Sequence, residues 1–266
     1  MVDFNGKPRL GRYILMKELS PGVLGDRWLA VHELDTTSHI VHWIRSSEDR
    51  PQQRRVIQAL ERASALEHPH ILRIEAFALD TRGLPWAVTP FTGDRDGVQS
   101  LDRLLRLKGG YLGLSESKQA IEQMLSAAAY AHEWEHRHGE LSMAEVHVDR
   151  RGSLAVELYG LSNLLATEQR PTEDAERDEV RAIVRIAYQL LTGLRVDDPI
   201  IPASRVLENL DPMWDGFFEM GLGEFGFKSS AHAMSAIREC RVSGDVVRWN
   251  AGRVRSTIGK LLFTEE

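Results

Sequence analysis

The 266-residue sequence is short of several things at once. It has one cysteine, Cys240, so no internal disulfide can form and nothing calls for an oxidising compartment. No run approaches the roughly 20 uninterrupted apolar residues that a membrane helix needs. Met1–Gly11 is polar and holds no signal-peptide core. Basic residues are in deficit: 33 Lys and Arg against 39 Asp and Glu leave a net charge of −6, which argues against a broad nucleic-acid-binding surface. No internal repeat and no Pro/Gly/Ser linker divides the chain. What remains, 42% hydrophobic and 27% charged, is the composition of a globular protein with a sizeable core, expected in the cytoplasm.

The apolar pattern changes along the chain. From Tyr13 to about Phe91 the runs are short and separated by turn residues. Tyr13–Met16, Trp28–Val31, His39–Ile44, Ala76–Leu79 and Trp86–Thr89 read as strands, with Pro21-Gly22, Asp35-Thr36-Thr37 and Asp80–Gly83 between them. Gln52–Leu66 is the exception, with helical spacing at Val56, Ile57 and Leu60. Beyond Gly93 the period becomes helical. Ser115 stands as an N-cap before the stripe Ile121, Met124, Leu125, Ala128. Val180, Ile183, Val184, Ala187 and Leu191 repeat the pattern, and Gly193 ends it. Val146–Val148 and Leu154–Leu158 flank Asp149–Gly152 as a hairpin, and further helices are expected at Trp214–Met220 and Ser230–Cys240.

An antiparallel sheet with one helix, then a mostly helical half with a small hairpin, resembles the order of a bilobal protein kinase domain of the bacterial, Hanks-type Ser/Thr class. Leu19–Ala30 is similar to the glycine-rich loop over ATP phosphates. Leu66-Glu67-His68-Pro69-His70-Ile71 resembles the stretch after the regulatory helix, and Ser100–Leu105 the first helix of the large lobe. His138–Ser142 stands at the catalytic loop, Tyr159–Ser162 at the metal-binding motif, and Tyr188–Gly193 at the end of the buried central helix. The expected fold is α+β: a small antiparallel β-sheet lobe over 1–93, a larger helical lobe over 94–240, and an extension over 241–266.

The residues that the resemblance makes catalytic are replaced. Phosphoryl transfer needs a lysine on the phosphates, ligands for Mg²⁺ and a base. The lysine position falls on Trp43, and the glutamate that pairs with it on Ala59; Glu61 lies about 200° away round the helix. The base position falls on Glu140, one methylene longer than aspartate, and the metal positions on Val146 and Leu158, which have no ligand atoms. The first loop glycine is Ser20, followed by Gly22 and Gly25, and the adenine-packing valine is Arg27. Only Leu161–Arg177 separates Gly160 from the start expected for the central helix at Asp178, so the peptide platform is curtailed. Thr89 at the gatekeeper position and Phe91 complete the cleft remnants.

The resemblance with these replacements implies a pseudokinase, without enzyme activity, acting as a scaffold or allosteric module in signalling. Its partner would be a protein of unknown identity, with no nucleic acid and no membrane span. No metal and no cofactor are expected, with ATP and Mg²⁺ binding absent or weak. The alternatives are a metal-independent nucleotide sensor, or an atypical nucleotide-dependent transferase built on Arg27 and Glu140. His132-Glu133-Trp134-Glu135-His136 matches H-E-x-x-H, but a helix ending near Glu135 carries His136 off the zinc-binding face. Arg27 reads as a solvated strand residue that could reach an anion, Trp43 as a core residue filling the cleft, and Cys240 as an inert buried thiol.

Overall fold

The structure, a computed structural model, describes residues 6–45, 49–93, 99–166, 171–196 and 200–242. The fold is α+β. Its strands follow the period-two alternation of the sequence, because successive side chains on a strand point to opposite faces. β1 (Arg9–Leu10), β2 (Tyr13–Leu19), β3 (Arg27–His32), β4 (Ser38–Trp43), β5 (Ala76–Leu79) and β6 (Pro85–Pro90) form one antiparallel sheet in the order β1-β2-β3-β4-β6-β5. One face gathers Leu15, Trp28, Ala30, Val41, Trp43, Trp86 and Val88. The other face carries Ile44 and Ala87, and packs on helix α1 (Arg50–Ser64) through Val56, Ala59 and Leu60.

The helices α2 (Leu101–Leu107) and α3 (Leu114–Glu133) follow, then a two-stranded hairpin of β7 (Val146–Val148) and β8 (Leu154–Val156). After the hairpin come α4 (Leu161–Leu165), α5 (Thr172–Thr192), α6 (Ala203–Val206), α7 (Met213–Leu222) and α8 (Ser230–Glu239). The chain divides into two compact units. The first holds the sheet, α1, the hairpin and α4; the second holds the larger part of α3 with α5 to α8.

In the second unit, Phe218 of α7 packs ring-to-ring on Tyr188 of α5 and on Trp214, and Phe217 packs on Phe227. Lys118 of α3 donates to the carbonyl of Cys240 at 2.6 Å, which ties the end of α8 to α3. α5 begins at Thr172, not at Asp178 as the periodicity predicts. Pro171 sets the N-cap and Glu173 and Asp174 occupy the first turn, where carboxylates offset the helix dipole. Among the described residues, no helix is long and apolar enough to cross a membrane. The expected extension over 241–266 falls outside the described residues from 243 onward, as do 167–170 of the segment after Gly160.

Candidate functional site

Period two decides what the first unit presents around Glu157. His42 and Trp43 are neighbours on β4 and so lie on opposite faces of the sheet. Trp43 packs with Val41 and Trp86, and its ring meets Trp28 edge-on at 6.4 Å. The expectation that its indole fills the cleft is therefore corrected: the β4 side chain facing Glu157 is that of His42, whose Nδ1 lies 3.6 Å from Oε1 of Glu157.

Arg27 is also unlike its sequence reading. It is buried, not solvated, with its side chain 9% exposed and that of Glu157 4%. One nitrogen, Nη1, donates to both carboxylate oxygens of Glu157 at 3.2 Å. The rest of the guanidinium faces the loop before β3: Nε donates to the Ser20 carbonyl at 2.8 Å and Nη2 to that of Pro21 at 3.3 Å. Such a planar fork holds its donors in fixed directions, which suits it to bridge a carboxylate and two carbonyls. The loop is folded on itself as well, since the Gly22 amide donates to the Gly25 carbonyl at 2.8 Å. A Cβ on Gly25 would lie 1.8 Å from the Trp43 carbonyl oxygen, and one on Gly22 3.2 Å from Arg27. Both glycines are thus accounted for by close packing within the protein.

Glu157 completes a polar cluster. His147 of β7, wholly buried, places Nε2 3.0 Å from Oε1 of Glu157 and meets the Thr92 hydroxyl at 3.2 Å through Nδ1. His42 Nε2 lies 2.9 Å from the hydroxyl of Thr89, which is itself fully buried. Burial pushes the Glu157 carboxyl up, but His42, His147 and Arg27 outweigh it and bring its pKa down to about 2. Burial drives His42 down to about 4, against the pull of Glu157. At neutral pH His42 carries no charge, so Arg27 supplies the countercharge to Glu157.

The other expected residues sit apart from this cluster or beneath it. Ala59 and Leu158 come together in the apolar cluster between α1 and the end of the hairpin. Leu158 reaches it by taking a φ of 45°, unusual for a bulky side chain. Gly160 follows with φ 74°, and a Cβ there would lie 3.1 Å from the Arg137 carbonyl. Val146 is fully buried opposite Val156. Its neighbour Glu145 carries a carboxylate, 3.8 Å from Nε2 of His138, and its carbonyl accepts from the Glu157 amide at 2.8 Å. Glu140 is exposed in the second unit, and Phe91 is half-buried with its amide on the Ser38 carbonyl. α3 ends at Glu133 and Glu135 takes a φ of 57°, so His136 leaves the helical face of His132. Among the described residues no group of three or more His, Cys, Asp or Glu could hold a metal ion.

Sequence reasoning missed His42, His147 and Glu157. The signal was present for His42: a polar residue on the face shared by Ile40 and Ile44 needs a buried partner. It was absent for Glu157, two of whose partners, His42 and Arg27, lie 115 and 130 residues away in the chain.

No protein-family model matches the chain. Curated proteins similar to it include two that are named as protein kinases. The Probable serine/threonine-protein kinase KIN1 homolog of Enterocytozoon bieneusi (strain H348) is 27% identical over 203 residues, 75% of this chain and 32% of that protein. The CBL-interacting protein kinase 1 of Oryza sativa subsp. japonica is 29% identical over 161 residues, 58% of this chain and 33% of that protein. The chain spans about a third of the length of both relatives. These likenesses support a place in the protein kinase-like superfamily. They also correct the expectation that the chain is no enzyme. Both relatives are named as protein kinases, which are enzymes, and nothing in the described structure shows this chain to be without catalytic activity. A specifically bacterial kinship is not what they show, one relative being microsporidian and the other from rice.

Proposed function

We propose that the chain is a kinase-fold binding module of bilobal design, acting as a scaffold or allosteric partner of another protein in signalling. The observation that carries this reading is the Arg27 bridge. One side chain joins the loop carbonyls of Ser20 and Pro21 to the carboxylate of Glu157. The loop that resembles a phosphate cover is thereby fastened to the turn after β8 by the protein's own groups. Its glycines serve internal packing, and Thr89, at the gatekeeper position, is engaged by His42. Val146 and Leu158 offer no oxygen to Mg²⁺, which is bound through carboxylates and substrate phosphates. Binding of ATP with Mg²⁺ is therefore expected to be absent or weak, and regulation to pass through protein contacts.

A thermal-shift titration with ATP, ADP and GTP, each with Mg²⁺ and with EDTA, tests this. A ligand at 100 times its dissociation constant stabilises a fold by about 2.7 kcal/mol, an easily seen displacement of the melt. No displacement is expected with millimolar nucleotide. A large one that requires Mg²⁺ would overturn the reading.

A further inference from the structure

The sheet face opposite Arg27 and Glu157 carries a cavity of about 540 Å³, within the range of small-ligand sites of about 300–1,000 Å³. Its walls are mostly apolar, from Leu15, Trp28, Trp43 and Leu84. Trp28 and Trp43 both line it, their rings 6.4 Å apart and at 77° to one another. Indoles can hold a planar ring by offset or edge-to-face packing. The indole N–H of Trp43 is buried with no acceptor among the described residues, an open donor of a kind that folded proteins rarely leave.

The charged residues of the lining are Asp26, Arg45 and Arg82. Arg82 is held by Asp80 at 3.3 Å. Arg45 is exposed, and its guanidinium has no ion pair or hydrogen bond among the described residues. With Arg82 paired to Asp80, Asp26 and Arg45 are the charges left on the lining, and Arg45 is the cation with a free hydrogen-bonding fork. None of these residues takes part in the Glu157 cluster, so the inference stands independently of the proposed function.

We propose that this cavity binds a small organic anion with a planar aromatic body, its ring against Trp28 and Trp43 and its anionic group on Arg45.

The probe is 1-anilinonaphthalene-8-sulfonate, titrated into the native full chain and read by its emission on excitation of tryptophan. Saturable one-to-one binding is expected. Arg45→Glu, a change at an exposed side chain, should weaken it by about tenfold or more. Leu84→Trp should fill the cavity and remove binding while the cooperative melt persists. N-phenyl-1-naphthylamine, the same ring system without the charge, should bind about tenfold more weakly or worse. No saturable binding, binding indifferent to Arg45→Glu, or equal binding of the uncharged dye would each overturn the proposal.

Discussion

Replacing Glu157 by glutamine should be among the most damaging single changes in the protein, although it exchanges only one heavy atom. The side chains of Arg27 and Glu157 are 9% and 4% exposed, so solvent screens the pair little. Glutamine keeps one acceptor oxygen but removes the charge, leaving the Arg27 guanidinium buried without a countercharge. Breaking a buried pair in this way costs about 3–5 kcal/mol, because the surviving charge has already been taken from water. The double replacement Arg27→Met with Glu157→Met is a different perturbation. It removes both charges, and such apolar swaps run from neutral to stabilising. The Ser20 and Pro21 carbonyls then lose a donor, which returns about 1–3 kcal/mol of cost. A urea-denaturation cycle of wild type, the single methionine variants and the double variant measures the coupling. It is expected to exceed about 2 kcal/mol, with the double variant more stable than either single. A loss below about 1 kcal/mol for Glu157→Gln, the scale of an exposed pair, would refute the reasoning.

The same cluster makes the fold acid-sensitive in two windows. His42 has a folded pKa lowered from 6.5 to about 4, so the unfolded chain binds the proton first and stability falls as pH drops from 6.5 to about 4. At about 1.4 kcal/mol per unit this amounts to on the order of 3 kcal/mol, and His42→Leu should flatten urea midpoints across that window. Glu157, lowered from 4.5 to about 2, adds a further loss below pH 4.5 as its carboxylate is titrated. Gly25→Ala should destabilise by about 2 kcal/mol or more, as its Cβ would strike the Trp43 carbonyl, and a thermal melt reads this. Cys240 is fully buried and its thiol pushed up to about 12, chiefly by burial, so alkylation by iodoacetamide at pH 8 should require unfolding and appear only in denaturant.

Much of the architecture was legible because its signals are local. The five predicted strands and the hairpin all form, since alternation and turn residues act within a few positions. The helix expected over Gln52–Leu66 runs Arg50–Ser64, and those expected at Trp214–Met220 and Ser230–Cys240 run Met213–Leu222 and Ser230–Glu239. The start of α5 was misplaced by six residues because its first turn has Ala175 as its one apolar residue and carries no apolar stripe. The candidate site was less legible, for two physical reasons. A strand offers two faces, and a shift of one residue exchanges them: assigning the lysine position to Trp43 put the wrong side chain of β4 toward Glu157. The pairing of Arg27 with Glu157 spans 130 residues and leaves no periodic trace in the sequence. An arginine on a strand reads as solvated until its partner is known.

The most direct test of the fastened loop is amide hydrogen exchange at Gly22, whose N–H donates to Gly25 within the segment held by Arg27. In the nucleotide-free protein this amide should already be protected. It should stay unchanged with millimolar ATP and Mg²⁺, and exchange faster in Arg27→Met. Rapid exchange without nucleotide that slows when ATP and Mg²⁺ are added would contradict it, because the loop would then be an open cover that closes on phosphate.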